Sequence, residues 1–430
     1  MANYTAPKGT FDLLPTPASP EEKWKHSHLW AYLEQVMVNL ARTYAFREIR
    51  TPIFEQTPLF IRSVGETSDI VSKEMYTFQD KGKRDLCLRP EGTAAVMRAF
   101  VQHQLQQQGT KHKFFYTGPF FRYDRPQAGR YRQFHQFGVE ALGDDTPEQD
   151  FEVISLLIEI YRRLGLRNLS LQLNTLGSSV CRARYKKALL EFLTPHADRL
   201  TPDSKRRLHA NPLRILDSKD PGEQALLEQA PRLIDVIDAA SQKRFEALCS
   251  LLKKAGLPFE VTPTLVRGLD YYNHVVFEVV SDKLGAQNAL GGGGRYNGLL
   301  ASFGGPDLPS VGFSLGMERT LIALLDAHVT LPSPPAPLVS LIPLGLAAKN
   351  ECFRLLYTLR QHGICTELID AKTVQKALQK ADKLATTFAL LLGEHEIAKQ
   401  TAQVKTMKTR ETKQVALGDL TSFFLNQLDA

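Results

Sequence analysis

The stretch Lys113–Gly143, KFFYTGPFFRYDRPQAGRYRQFHQFGVEALG, decides the reading of the fold. Its aromatic run, Phe114–Asp124, predicts a strand, and Tyr131–Ala141 predicts the return strand. Between them Pro126 and Gly129 give Arg125–Arg130 the chemistry of a turn. Side chains two apart share a strand face. That alternation places Arg122 with Asp124, and Arg132 with Phe134, Gln136, Gly138 and Glu140. Such a face is too polar for a core, because burying unneutralised charge is costly. A bound anionic, aromatic ligand would neutralise it; an amphipathic hairpin with its wet face in water is the plain alternative.

The 430 residues are too many for a single core and predict roughly two or three domains. An apolar content of 43% with 23% charged residues fits a globular protein. The net charge of +7 is a mild basic excess, compatible with a nucleic-acid partner and weak evidence alone. Five cysteines, at 87, 181, 249, 352 and 365, are widely spaced with no CxxC pair, which predicts reduced thiols and no zinc knuckle. His26 and His28 have no neighbouring ligand cluster and read as surface residues. No apolar run approaches the roughly 18–20 residues of a membrane span, and MANYTAPKGTFDLLP lacks the layout of a signal peptide. The expected location is the cytoplasm.

Upstream of the hairpin, Ser19-Pro20-Glu21-Glu22 reads as a capped helix start. Leu29, Tyr32, Leu33, Val36 and Leu40 recur at helical spacing, which predicts one helix to about Arg42. A strand over Phe46–Thr51 follows, stopped by Pro52. Glu66–Ser72 reads as a polar loop, and short strands are expected at Tyr76–Gln79 and Leu86–Arg89. Pro90-Glu91-Gly92-Thr93 then sits on a strand-to-helix turn, where Glu91 either caps the helix over Thr93–Val101 or serves a ligand.

Downstream, Asp150–Leu164 predicts a helix and Leu169–Leu173 a strand. From about Cys181 to Leu257 the pattern turns helical, with basic runs at Arg182–Lys187 and Lys205–Arg207; this reads as a helical insertion in the sheet-bearing domain. Solvated helix faces or contacts to RNA phosphates would both explain those runs. Phe259–Val266 and Val275–Val280 read as strands joined by Arg267-Gly268-Leu269-Asp270-Tyr271-Tyr272. Ala289–Leu300, ALGGGGRYNGLL, fits neither a P-loop nor a G-x-G-x-x-G turn, and its glycines would let backbone approach a flat ligand. Val311–Leu325 passes from a strand into a helix with Arg319 in the first turn, where anions are favoured. Residues 331–337, LPSPPAP, form a stiff linker. Beyond it strands alternate with helices, the pattern of βαβ units.

Several of these stretches carry a resemblance. FFRYDRPQAGRYRQFHQFGVEALG resembles motif 2 of the class II aminoacyl-tRNA synthetases, specifically the histidyl-tRNA synthetase family. PKGTFDLLP is similar to that family's opening, and the first helix–strand unit resembles motif 1, the dimerisation element. LVRGLDYY and ALGGGGRYNGLL resemble its two histidine signatures, with Asn297 where the family usually has Asp. VGFSLGMERTLIALL resembles motif 3. The resemblance spans nearly the whole chain. It implies an α/β protein: an antiparallel sheet flanked by helices over 1–330, an insertion at about 181–257, and an anticodon-binding domain over 338–430.

It also implies the chemistry. Histidine and ATP would give histidyl-adenylate, and the 3′ end of tRNA(His) would then take the acyl group, in a homodimer. Arg122 and Arg267 would be the catalytic cations, suited to two-oxygen contacts by their fixed fork. Asp124, Arg130, Phe134 and Arg319 would join Arg122 around ATP, with Mg²⁺ on its phosphates and Phe134 stacked on adenine. Asp124 stands where the family more often has Glu. Glu91, Thr93 and Gln136 would hold the amino group, while Glu140, Tyr271, Tyr272 and Tyr296 would surround the imidazole. Lys399, Lys405, Lys408 and Arg410 are candidates for the anticodon. The rivals are a non-catalytic regulatory relative and a class II synthetase for threonine, proline or glycine; LVRGLDYY argues against both. The His-x-Gly-His and Lys-Met-Ser-Lys-Ser signatures of class I enzymes do not occur.

Overall fold

A computed structural model describes residues 4–17, 19–65, 68–127, 129–218, 220–281 and 289–428. They group into two compact units, Met1–Pro332 and Ser333–Ala430. The first carries strands β1 (Arg47–Glu48), β2 (Phe54–Gln56), β3 (Thr77–Gln79), β4 (Asp85–Leu88), β5 (His112–Phe121) and β6 (Gln133–Leu142). They are followed by β7 (Leu169–Thr175), β8 (Glu260–Val261), β9 (Asn273–Ser281), β10 (Ala289–Arg295) and β11 (Ser310–Gly316). Among the described residues, one eight-stranded sheet has the order β1-β5-β6-β11-β10-β9-β7-β8, and β2, β4 and β3 form a small separate sheet. The six central strands of the large sheet are antiparallel, and β1 and β8 join its edges in parallel.

Alternation along the strands makes the sheet two-faced. Phe115, Phe137, Val139, Phe277, Val279, Phe313 and Leu315 point to one side. There they pack on Leu33, Met37 and Leu40 of the Ser27–Thr43 helix, on Ile154, Leu157 and Tyr161 of the Pro147–Leu164 helix, and on Leu321 and Leu324 of the Met317–Asp326 helix. The residues between them, Tyr116, Gln136, Gly138, Glu140, Glu278 and Gly292, are left for the opposite face. Apolar burial fixes this register, because a slip of one residue would exchange the faces.

Several elements differ from the sequence reading. The first strand of the hairpin ends at Phe121, so Arg122 and Asp124 lie in the loop beyond it rather than on a strand face. The chain leaves the ladder there because the Tyr123 N–H donates to the Glu74 carbonyl at 2.7 Å. Arg132 likewise precedes β6, its N–H donating to the Gly9 carbonyl at 2.7 Å. The first helix is broken: Pro20–Lys25 is a 3-10 turn, His26 is extended, and the α-helix begins at Ser27. Leu14 lies against the break, taking the Ser27 N–H at 2.9 Å and donating to the Lys25 carbonyl at 3.1 Å. The strand expected over Phe46–Thr51 pairs only at Arg47–Glu48. The one expected over Phe259–Val266 stops at Val261, where Pro263 has no N–H to give and Leu265 turns back onto the Thr262 carbonyl at 2.9 Å. Of the polar stretch Glu66–Ser72, residues 66 and 67 lie outside the described residues, and Ile70–Glu74 is a π-helical turn.

Within 181–257 the helices serve both faces of the sheet. Tyr185, Leu189, Leu208, Ile215 and Leu226 cluster with Tyr116 and Phe120 on the site side. The Ala239–Lys254 helix instead buries Phe245, Leu248 and Leu252 in the core on the other side. The basic runs are partly consumed within the chain. Arg182 donates to the carbonyls of Asp270 and Tyr272 at 2.9 and 2.6 Å, and Arg207 pairs with Asp69 at 3.0 Å and Asp203 at 2.8 Å.

The second unit contains β12 (Val339–Leu344), β13 (Thr366–Leu368), β14 (Phe388–Gly393), β15 (Thr401–Thr406) and β16 (Thr412–Ala416), ordered β13-β12-β14-β15-β16. The first three are parallel and the last two add an antiparallel hairpin. Leu341, Leu390 and Leu392 pack on Leu355 and Leu359 of the Leu346–Gln361 helix and on Phe424. Among the described residues no helix is long and apolar enough to cross a membrane, and no group of three or more His, Cys, Asp or Glu side chains could hold a metal ion.

Candidate active site

The polar face of the large sheet is the floor of a cavity of about 700 Å³ in the first unit. Of the thirteen site residues named from sequence, twelve line it: Glu91, Thr93, Arg122, Asp124, Arg130, Phe134, Gln136, Arg267, Tyr271, Tyr272, Tyr296 and Arg319. Glu140 does not. It lies under the floor, 1% exposed, bonded to residues that line the cavity.

One end gathers cations. Arg122, just past β5, donates from Nε to the Pro90 carbonyl at 2.9 Å and lies over the Phe134 ring, 5.2 Å from its centroid. Arg319 is held by the carbonyls of Gly129 and Ala289, both at 2.9 Å. Arg130 pairs with Asp124 at 3.2 Å. Enclosure by protein lowers the pKa of Arg319, and the nearby charges of Arg130 and Arg122 lower it further. Arg122 is lowered by the same enclosure, against the attraction of Glu74 and Glu91. A guanidinium group disfavoured by its cationic neighbours forms part of a site that an anion stabilises.

Arg267 is set differently. Its guanidinium is bonded to the Glu278 carboxylate, and the backbone of Gly292 lies close beside it. A Cβ at Gly292 would come within 2.9 Å of Nη1. Enclosure works most strongly against the charge of Arg267, and Glu278 together with the Tyr272 and Tyr271 phenols overcomes it, leaving the pKa above its ordinary value. The glycine run thus makes room for the protein's own side chains: Arg267 at Gly292, and Tyr272 at Gly294, where a Cβ would fall 2.9 Å from the ring. Gly291 and Gly292 also line the cavity, so the run leaves backbone open there as the sequence reading expects. Asn297, in the same stretch, accepts the Ser310 N–H at 2.9 Å and donates to Asp145 at 3.2 Å.

The other end is acidic and phenolic. Glu91 is 4% exposed and accepts the N–H groups of Thr93 at 2.7 Å and Ala94 at 2.8 Å, capping the Thr93–Gln102 helix. Each carboxylate oxygen keeps a further acceptor site. Glu140 accepts from Thr93 Oγ1 at 2.8 Å and from the Tyr116 hydroxyl at 3.3 Å, and is bonded to the Tyr296 hydroxyl. Burial pushes its pKa up to about 8, with Glu91 adding to the rise and the three hydroxyls opposing it. The Tyr271 hydroxyl lies 3.4 Å from Thr93 Oγ1, and Gln136 donates to Ser314 Oγ at 3.4 Å.

Sequence reasoning missed three contributors. Glu278 is a charge inside the otherwise apolar strand Val275–Val280, a signal that was available. Tyr116, in the aromatic run of β5, had no such mark. The insertion adds Leu216, Ser218, Gln224, Leu227 and Glu228 to the cavity wall, which no local pattern shows.

An antiparallel sheet flanked by helices, with arginines from the motif 2 hairpin and the motif 3 helix meeting in one cavity, defines a class II aminoacyl-tRNA synthetase. A family model described as histidyl-tRNA synthetase matches residues 18–320, and one described as an anticodon binding domain matches residues 338–427. A histidine–tRNA ligase of Protochlamydia amoebophila is 50% identical over 97% of this chain and 98% of its own length. One from Shouchella clausii is 46% identical over 98% of each. The solved apo histidyl-tRNA synthetase of S. aureus superposes with a TM-score of 0.82 at 36% identity, covering 98% of this chain and all of that one. The chain belongs to the histidyl-tRNA synthetase family.

Proposed function

We propose that the arginine end of the cavity holds ATP and the phenolic end holds histidine, in a chain whose activity is the ATP-dependent ligation of histidine to tRNA. One observation carries this division. Arg122, Arg130, Arg267 and Arg319 reach one cavity from distant parts of the chain, and Glu91, Thr93, Tyr271, Tyr272 and Tyr296 line the same cavity.

In the first step a carboxylate oxygen of histidine forms a bond to the α-phosphorus as the bond to the β-phosphate oxygen breaks, and pyrophosphate leaves with the electron pair. Such a displacement needs alignment and charge neutralisation more than covalent help. Arg122 and Arg267 supply fixed positive charge at the α-phosphate, and Arg130 and Arg319 hold the outer phosphates. Mg²⁺ enters as part of the nucleotide, held by phosphate oxygens. The Phe134 ring takes the adenine on the face away from Arg122, and Asp124, engaged with Arg130, contacts the base through water.

Glu91, Thr93 and Gln136 take the ammonium group of histidine. The imidazole meets Tyr271, Tyr272 and Tyr296, with Glu140 behind them as acceptor for a ring N–H. A wrong amino acid leaves these buried groups unpaired, a mode of rejection worth roughly 10⁴-fold or more. In the second step the terminal ribose oxygen of tRNA bonds to the carbonyl carbon and AMP leaves. Residues 338–430 take the anticodon, and the first helix–strand unit pairs two copies in the cytoplasm. Purified protein exchanging pyrophosphate into ATP with histidine, and losing that exchange in Arg122→Ala, tests the reading. Full exchange in the variant contradicts it.

A further inference from the structure

Tyr116 was assigned no role by the sequence, yet its surroundings are built around its ring. It lies opposite Gly138 in the β5–β6 ladder. A Cβ on Gly138 would fall 2.3 Å from its Cζ, and so would a Cβ on Gly92, in the turn that carries Glu91. The ring is therefore clasped between two backbones that offer no side chain. No larger residue at either position would admit it, because contacts this short are repulsive at any rotamer of the added group. The residue is 7% exposed and lines the cavity, and its hydroxyl reaches Glu140 Oε1 at 3.3 Å. Gly312, across the ladder from Glu140, gives that carboxyl similar room: a Cβ there would come within 2.2 Å of Oε2.

We infer that Tyr116 is a positioning residue for amino-acid selection: its ring, clasped by Gly92 and Gly138, sets the depth of the histidine end of the cavity, and its hydroxyl fixes Glu140. The inference rests on the assignment of that end to histidine. The groups facing Glu140 are Glu91 and Thr93 from the helix turn, Tyr116 from β5, Tyr296 following β10, and Tyr271 and Tyr272 from the loop before β9. Hydroxyl donors are what keep the Glu140 carboxyl from rising further, while Glu91 and burial push it up. Removing the Tyr116 hydroxyl therefore raises the pH at which Glu140 ionises, and weakens its grip on an imidazole N–H below that pH.

The test is Tyr116→Phe in the full-length protein, with histidine-dependent pyrophosphate exchange followed from about pH 6 to 9.5. The KM for histidine rises about tenfold, as expected for a lost hydrogen bond to an ionisable group, while the KM for ATP stays at the wild-type value. The KM for histidine falls as pH rises through the ionisation of Glu140, and in Tyr116→Phe that fall moves to higher pH; titration of free histidine is common to both proteins and cancels. Gly138→Ala, which displaces the ring and keeps its hydroxyl, also raises the KM for histidine. If wild type shows no histidine dependence, the assignment of the cavity fails. If wild type depends on histidine and Tyr116→Phe changes neither KM nor the pH limb, the role given to Tyr116 is wrong.

Discussion

The two ends of the cavity follow opposite electrostatic rules. At the arginine end, Arg319 is tied to two backbone carbonyls and stands near Arg122 and Arg130, whose charges disfavour its own. At the phenolic end no cation is among the main influences on Glu140; its partners are Tyr296, Thr93, Tyr116 and the like-charged Glu91. The first end is preorganised to receive negative charge, and the fixed positions of its donors mean little reorganisation when phosphate arrives. The second is a buried network already satisfied by its own hydroxyls, and it gains only from a ligand that brings a well-placed N–H. On the proposed reading, affinity for the nucleotide and choice of the amino acid fall to physically different groups on one sheet face.

Substitutions at the two ends should separate cleanly. The largest effect is expected at Arg267. Its replacement by Ala removes a fixed cation and leaves Glu278 uncompensated, lowering the rate of adenylate formation by about 10²–10³-fold in single-turnover assays. Glu140→Gln comes next. It keeps the shape and can never ionise, so above about pH 8, where the wild-type carboxyl carries its charge, the KM for histidine rises by about 10²-fold with little change in that for ATP. Arg319→Ala should act in the opposite sense, raising the KM for ATP about tenfold and sparing that for histidine. If both substitutions shift both constants equally, the two ends are not separate.

A smaller effect concerns stability. Glu140 ionises near pH 8 in the folded chain, whereas an unfolded glutamate ionises at about 4.3. Between these values the folded state binds a proton that the unfolded state does not, so stability falls as pH rises through that window. Glu140→Gln removes that dependence. The melting temperature of wild type should thus fall relative to the variant between about pH 5 and 8, and a constant difference would show that Glu140 is not held protonated.

Much of this arrangement could be read from sequence where a local rule applied. The hairpin, the helix after Gly92 and the alternation that sends Gln136 and Glu140 to one face all follow from periodicity. Arg122 and Asp124 both reach the cavity, but not by strand alternation, since the strand ends before them and the Glu74 carbonyl draws the chain away. The break at His26 depends on Leu14, a contact from another segment. Glu91 shows both of its possible faces, because it caps a helix and borders the cavity at once. Tyr116 was illegible: a tyrosine in an aromatic strand looks like core until Gly92 and Gly138 are seen on either side of it.

The central claim is that several guanidinium groups serve one nucleotide while a buried carboxyl behind phenols selects histidine. Pyrophosphate exchange into ATP, measured with each of the twenty amino acids in turn, tests it most directly. The account predicts exchange with histidine alone. Exchange driven by threonine or proline, or by none of the twenty, would contradict it.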